Sequence, residues 1–139
     1  MSDIANLQVN ATFGEYPQIT FSVPDAPAGL YCDEIVEGDG PMVRKGDIVT
    51  VNYHGVIWGK DKPFDSSFDR HQPIDFGIGV GQVIKGWDNT VPGHNVGSRL
   101  VVSIPPQYGY GSYGVPQAGI GGDDTLVFVI DIISTTSGR

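Results

Sequence analysis

The sequence predicts an α+β fold in which a sheet folds over one short α-helix. Three observations carry that prediction. Residues 82–91 are the one stretch with a helical pattern: Val83, Ile84, Trp87 and Val91 share a face, while Lys85, Asp88 and Asn89 point elsewhere. Segments on either side alternate apolar and polar residues with period two, as strands do. The 20 glycines and 10 prolines favour turns over long helices. Two or three helical turns do not persist alone in water, so the helix needs a sheet around its apolar face, with Trp87 between the two.

From the N-terminus, residues 1–29 carry Pro17, Pro24 and Pro27 and little apolar patterning. Ile19, Phe21 and Val23 are the exception, alternating like a strand. This segment is expected as an N-terminal extension, either adding an edge strand or lying as a flexible arm, with residues 30–139 forming the main domain. Residues 30–36 read as a weak strand ending at the turn Glu37-Gly38-Asp39-Gly40-Pro41. The clearest strand spans 48–57, with Val49, Val51, Tyr53 and Ile57 on one face. A loop at 59–63 leads into Phe64-Asp65-Ser66-Ser67-Phe68-Asp69-Arg70, and Ile74, Phe76 and Ile78 then alternate again. Pro92 and Gly93 stop the helix. Leu100, Val102 and Ile104 alternate in the next strand. The closing strand, 125–133, is apolar on both faces near its centre, as a strand buried on two sides should be. Residues 105–122 form a long connection without evident structure of its own, and its three tyrosines and Ile120 suggest a flap over a ligand site.

Composition narrows the function classes. One domain fits 139 residues. The net charge of −8 argues against nucleic acid, whose phosphates need clustered Lys and Arg, and against an anionic membrane surface. Cys32 is the single cysteine, so no disulfide forms within the chain. No basic-then-apolar leader and no apolar run of membrane-spanning length is visible, and the cytoplasm is the expected location. Gly77-Ile78-Gly79-Val80-Gly81 lacks the third glycine of a dinucleotide fingerprint. No nucleophile elbow precedes a helix. His54, His71, His94 and Cys32 have no metal-site spacing and each His reads as a surface or turn residue; Asp61, Asp65 and Asp69 lack the Gly and Glu of a calcium loop. No metal and no cofactor are expected. Aromatic and branched residues with a few polar groups among them describe an apolar cleft more than a reacting triad. By pattern alone, Trp87, Phe64, Phe76, Phe128, Val83 and Ile84 read as ordinary core.

Five pieces change that reading: Val51-Asn52-Tyr53-His54-Gly55, Phe64 to Arg70 as quoted above, Val83-Ile84-Lys85-Gly86-Trp87-Asp88, Tyr108-Gly109-Tyr110-Gly111 and Thr125-Leu126-Val127-Phe128. In order and nearly in spacing, over about residues 30–133, they resemble the FKBP-type peptidyl-prolyl cis-trans isomerases. The resemblance implies a curved antiparallel β-sheet of five to six strands wrapped around the short helix. It implies an isomerase acting on X–Pro bonds in protein folding, with Tyr53, Asp65, Trp87, Tyr110 and Phe128 as catalytic residues. Phe64, Arg70, Ile74, Phe76, Val83, Ile84 and Ile120 are implied as substrate-binding, with the Ile84 N–H and Tyr110 hydroxyl donating to ligand carbonyls. Proline-containing polypeptides and macrolides such as FK506 and rapamycin are the implied ligands, and a monomer is expected. Ile74 stands where several members carry an aromatic, Val115 replaces a larger flap residue, the flap is about one residue longer, and Gly121-Gly122 replaces a proline pair. These departures are expected to loosen the flap. A non-catalytic module binding proline segments or macrolides is the alternative, and a chaperone gripping unfolded chains ranks below both.

Overall fold

The computed structural model describes residues 7–137; the first part of the extension, 1–6, and residues 138–139 lie outside the described residues. Near the N-terminus, β1 (Leu7–Val9) and β2 (Ile19–Phe21) pair with each other as a separate antiparallel hairpin rather than extending the main sheet. The main sheet comprises β3 (Tyr31–Val36), β4 (Ile48–Ile57), β5 (Asp65–Ser66), β6 (Ile74–Gly77), β7 (Arg99–Ile104) and β8 (Leu126–Thr136). Its order is β3-β7-β8-β4-β5, with β6 pairing on β4, and every pairing is antiparallel. This is the curved sheet and α+β class expected from the sequence.

Alternation along β8 divides the molecule into two apolar cores. Phe128, Ile130 and Ile132 face one cluster together with Tyr53, Leu100, Ile104 and Trp87. Val127 and Val129 face a second cluster with Leu7, Val56, Trp58 and Val101, against which Val9, Ile19, Phe21 and Val23 of the extension pack. The central strand is therefore apolar on both faces because the N-terminal segment covers the side the helix does not. Phe21 meets Trp58 with ring centroids 4.8 Å apart, and the Trp58 indole donates to the Val23 carbonyl at 3.3 Å.

Beneath the same cover lies an ion pair with both side chains fully buried. Arg99 donates through Nε to Asp131 Oδ1 at 2.7 Å and through Nη2 to Oδ2 at 2.9 Å. Its remaining donors reach the carbonyls of Asn10 and Glu15, while the Gly14 N–H donates to Asp131 Oδ2 at 2.7 Å. A charged pair tolerates this burial only when its spare donors and acceptors are filled, and the extension fills them.

The helix is shorter than its sequence pattern. Regular α-helix covers Lys85–Asp88 (α2), following a one-turn helix, Ser67–Arg70 (α1). Ile84 caps α2 in extended backbone (φ −59°, ψ 152°), so Val83 and Ile84 precede the helix instead of lying on its face. The Val91 N–H still reaches the Trp87 carbonyl at 3.0 Å, which keeps Val91 on the buried side. Gly86 lets α2 rest directly on β7: a Cβ there would lie 2.5 Å from Ile104 Cδ1, closer than any side chain can sit. That contact offsets the ~1 kcal/mol a glycine costs inside a helix.

His54 also departs from expectation. It is 3% exposed, not a surface residue, because alternation along β4 turns it to the face opposite Tyr53. Its Nδ1 bonds Ser66 Oγ at 2.9 Å, and the Tyr16 ring covers it edge-on at 5.1 Å. Burial lowers its pKa from the ordinary 6.5, with Arg99 pushing the same way and Asp69 opposing. The unfolded chain therefore takes up this proton first, so the stability contribution is complete above pH 6.5 and is lost as the pH falls below that value and through the folded-state pKa. Denaturation midpoints measured from pH 7.5 down to 5 should decline, with His54 contributing at most ~1.4 kcal/mol per pH unit. His54→Gln should remove that component; an unchanged slope would place its origin elsewhere.

Candidate functional site

The site forms where α2 meets the concave face of the sheet. Trp87, 5% exposed, is ringed by Tyr53 from β4, Phe76 from β6 and Phe128 from β8, with centroids 5.3, 5.3 and 5.2 Å away. The Tyr53 and Phe128 contacts are edge-to-face, the arrangement favoured by ring quadrupoles. Phe64, in the loop before β5, continues the wall by meeting Phe128 at 5.6 Å. Beside the indole opens a cleft of about 410 Å³, lined by Tyr53, Phe64, Asp65, Ile74, Gln82, Val83, Ile84, Trp87, Tyr110 and Phe128. That volume lies within the range of small-molecule binding clefts.

Nine of the residues singled out from the sequence meet in this lining, and three do not. Phe76 supports Trp87 from behind. Arg70 lies outside the cleft and holds two residues of its wall: Nη1 donates to Asp65 Oδ1 at 2.5 Å and Nη2 to the Tyr53 hydroxyl at 2.8 Å. Ile120, within the flap, is 4% exposed because its side chain packs into the core. Gln82 lines the cleft without having been singled out. Its Oε1 accepts the Gly77 N–H at 2.8 Å, tying the end of β6 to the segment before α2. Nothing in the local sequence marks that contact, because it depends on how two loops meet.

Tyr53, Asp65 and Arg70 form a closed polar triangle at the cleft edge. The Tyr53 hydroxyl donates to Asp65 Oδ2 at 2.5 Å, so both carboxylate oxygens are taken. Burial raises the Tyr53 pKa, the Asp65 hydrogen bond adds to the rise, and Arg70 opposes it. Hydrogen bonding to Asp65, then to Tyr53, raises the Arg70 pKa further above its ordinary value. The β5–α1 turn that carries Asp65 and Arg70 is pinned to β4 through Ser67: its Oγ accepts the Tyr53 N–H and donates to Asn52 Oδ1, each at 2.8 Å. At the rim, Tyr110 is 42% exposed, its pKa raised by partial burial and by the charge of Asp65. Among the described residues, neither the Tyr110 hydroxyl nor the Ile84 N–H has a hydrogen-bond partner.

The flap is tighter than expected. Three short 3-10 turns, Pro106–Tyr108, Gly111–Tyr113 and Pro116–Ala118, structure it, and Val115 and Ile120 exchange backbone hydrogen bonds at 2.9 and 3.1 Å. A Cβ on Gly122 would lie 2.0 Å from the Ser112 carbonyl oxygen, and one on Gly114 (φ +61°) 2.2 Å from that of Ile120. These glycines permit close backbone approach, so they draw the flap together instead of loosening it.

Sheet, helix and cleft define a class of protein in which a curved antiparallel sheet and one short helix enclose an aromatic-lined opening. The family model for FKBP-type peptidyl-prolyl cis-trans isomerase matches residues 40–133, and the chain belongs to that family of prolyl isomerases. It is 40% identical over 120 residues to the FK506-binding protein of Streptomyces anulatus, covering 86% of this chain and 97% of that one. It is 45% identical over 102 residues to FK506-binding protein 1 of Saccharomyces cerevisiae, covering 73% and 88%. The crystal structure of AtFKBP13 superposes with a TM-score of 0.71 at 35% identity, over 81% of this chain and 98% of that one.

Gly122→Ala should part the flap from the turn at Ser112, at a stability cost of ~1–3 kcal/mol. Amide exchange at residues 112–122 should quicken in the variant. Unchanged exchange would show that the close approach is not what holds the flap.

Proposed function

We propose that this chain accelerates the rotation of X–Pro bonds in folding polypeptides without forming a covalent bond to them. The observation that carries the reading is the cleft itself: an aromatic socket beside the Trp87 indole, open on one side, with two unused donors, the Ile84 N–H and the Tyr110 hydroxyl, at its margin.

Rotation about the imide bond crosses a barrier of ~18–20 kcal/mol and takes tens to hundreds of seconds unaided. Half-way round, the nitrogen loses conjugation and the carbonyl dipole shrinks. A dry aromatic cleft suits this less polar state better than the planar one, which is differential binding of the transition state. Lowering the barrier by ~4–7 kcal/mol gives about 10³- to 10⁵-fold acceleration. In this reading the proline ring rests against Trp87 between Tyr53, Phe64 and Phe128, with Ile74, Val83 and Phe76 completing or backing the wall. The Ile84 N–H and Tyr110 hydroxyl orient substrate carbonyls. Asp65 acts by holding Tyr53 and Arg70, since both its oxygens are engaged and a carboxylate facing a carbonyl oxygen would be repelled. Ile120 anchors the flap to the core.

FK506 and related macrolides would occupy the same cleft; the relatives from Streptomyces anulatus and Saccharomyces cerevisiae are named for binding FK506. The chain is proposed to work as a monomer in the cytoplasm, where a lone cysteine suits the reducing conditions, and its charge of −8 turns it away from nucleic acid and anionic membranes. Among the described residues no helix is long and apolar enough to cross a membrane. A non-catalytic binding module would use the same cleft; a loose flap would favour it over catalysis, and here the flap backbone is closely packed at Gly114 and Gly122.

An exchange-NMR or protease-coupled assay on X–Pro tetrapeptides should show acceleration that rapamycin abolishes. Tyr110→Phe should lower kcat/KM several-fold, by about the ~1 kcal/mol of one hydrogen bond. Asp65→Val, which frees Tyr53 and Arg70, should lower it further. Tight macrolide binding without acceleration would replace the enzyme by the binding module.

A further inference from the structure

We infer that Tyr16, in the N-terminal extension, is a positioning residue for the cleft, acting through His54 and Phe68 on Asp65 and Arg70. The inference rests on the proposed role of the cleft. Asp65 sits on β5, a strand only two residues long, paired to β4 through Gly55↔Asp65 and His54↔Ser66. So short an edge strand is held weakly by its ladder alone. Successive residues point to opposite faces, so Tyr53 and Asp65 meet on the cleft side while His54 and Ser66 meet on the other. Any movement of one pair moves the other, because the two share a backbone.

The outer pair depends on the extension. His54 Nδ1 and Ser66 Oγ form a buried hydrogen bond, and the Tyr16 ring stands edge-on over His54 at 5.1 Å and over Phe68 at 6.1 Å. Phe68 belongs to α1, the single turn that carries Arg70. One tyrosine therefore backs both segments that deliver the polar triangle to the cleft. Tyr16 is 45% exposed yet firmly placed: its carbonyl accepts from Asn10 Nδ2 at 3.0 Å, and the neighbouring Glu15 carbonyl accepts from the buried Arg99. Without the ring, water reaches the His54–Ser66 bond and the outer side of Phe68. The two-residue strand then frays, and Asp65 and Arg70 lose their fixed positions.

The test compares Tyr16→Ala, Tyr16→Phe and Phe21→Ala in the full chain. Phe21 lies in the same extension but packs on Trp58, away from His54. Tyr16→Ala should lower kcat/KM on X–Pro tetrapeptides roughly tenfold, in keeping with the cost of a small misplacement, and Tyr16→Phe should restore it. Phe21→Ala should lower the denaturation midpoint with kcat/KM within about twofold of the parent, as expected of a distant packing change. A second readout does not need turnover: the Arg70 side-chain N–H signals in the NMR spectrum should be distinct in the parent and collapse towards the solvent-averaged position in Tyr16→Ala alone. If the parent itself shows no acceleration, the isomerase reading falls while the Arg70 signals still decide the coupling. Unchanged Arg70 signals in Tyr16→Ala, or equal losses in Tyr16→Ala and Phe21→Ala, would overturn the positioning role.

Discussion

The contact between the Trp87 indole and the concave face of the sheet is what the rest of the structure depends on. Four residues of regular helix rise only ~6 Å, whereas a ten-residue strand runs ~33 Å. Lys85–Asp88 thus covers a small part of the surface presented by β4 and β8. Gly86 brings that turn close enough for the indole to touch three rings at once. The concave surface left over is apolar and cannot be closed by more helix. It becomes the cleft, with Val83 and Ile84 along one side, just before the helix, and the flap across another. A longer helix here would fill that space.

The opposite face follows a different logic. β7 and β8 present Val101, Val127 and Val129 outward, and among them the buried Arg99–Asp131 pair. Left bare, that face would expose apolar surface and an ion pair whose spare hydrogen-bonding groups only water could fill. The extension supplies both needs, with Leu7, Ile19 and Phe21 over the valines and backbone carbonyls for the guanidinium. Buried charge favours one placement of the segment over others, since any shift strands a donor at a cost of several kcal/mol. The hairpin is consequently fixed in register against the sheet that also carries the cleft.

Much of this was legible from residue order. Period-two alternation located the long strands, and the two-faced apolar run at 125–133 announced that something must cover the sheet on each side. What covers it was half legible: Ile19, Phe21 and Val23 alternate, but β1 is three residues long, too short to give a period, and nothing local says that β2 pairs with it and lies over the sheet face instead of joining an edge. The helix was overestimated for a related reason: Val83 and Ile84 satisfy helical spacing, but they are apolar because they line the cleft, and spacing does not separate those causes. His54 was misplaced because a histidine between Tyr53 and Gly55 carries no mark of which face is covered. The flap misled through its glycines, whose sequence meaning is freedom and whose structural role at Gly114 and Gly122 is lack of bulk. Long-range partners such as Gln82 and Gly77, or Arg99 and Asn10, leave no local signature at all.

The treatment of Asp65 shows how an apolar site keeps a charge at its edge. A free carboxylate facing the cleft would hold water there and raise the polarity of that space. Here one oxygen takes the Tyr53 hydroxyl and the other takes Arg70, while Arg70 closes the triangle on Tyr53. The guanidinium remains half exposed and so stays hydrated on its outer side, which makes the triangle cheaper than a fully buried pair. Its benefit is geometric: the Tyr53 ring is held at both its hydroxyl and its backbone N–H, the latter by Ser67, and so presents a fixed edge to the indole. Polar groups at this site thus act on the walls of the cleft and leave its interior apolar.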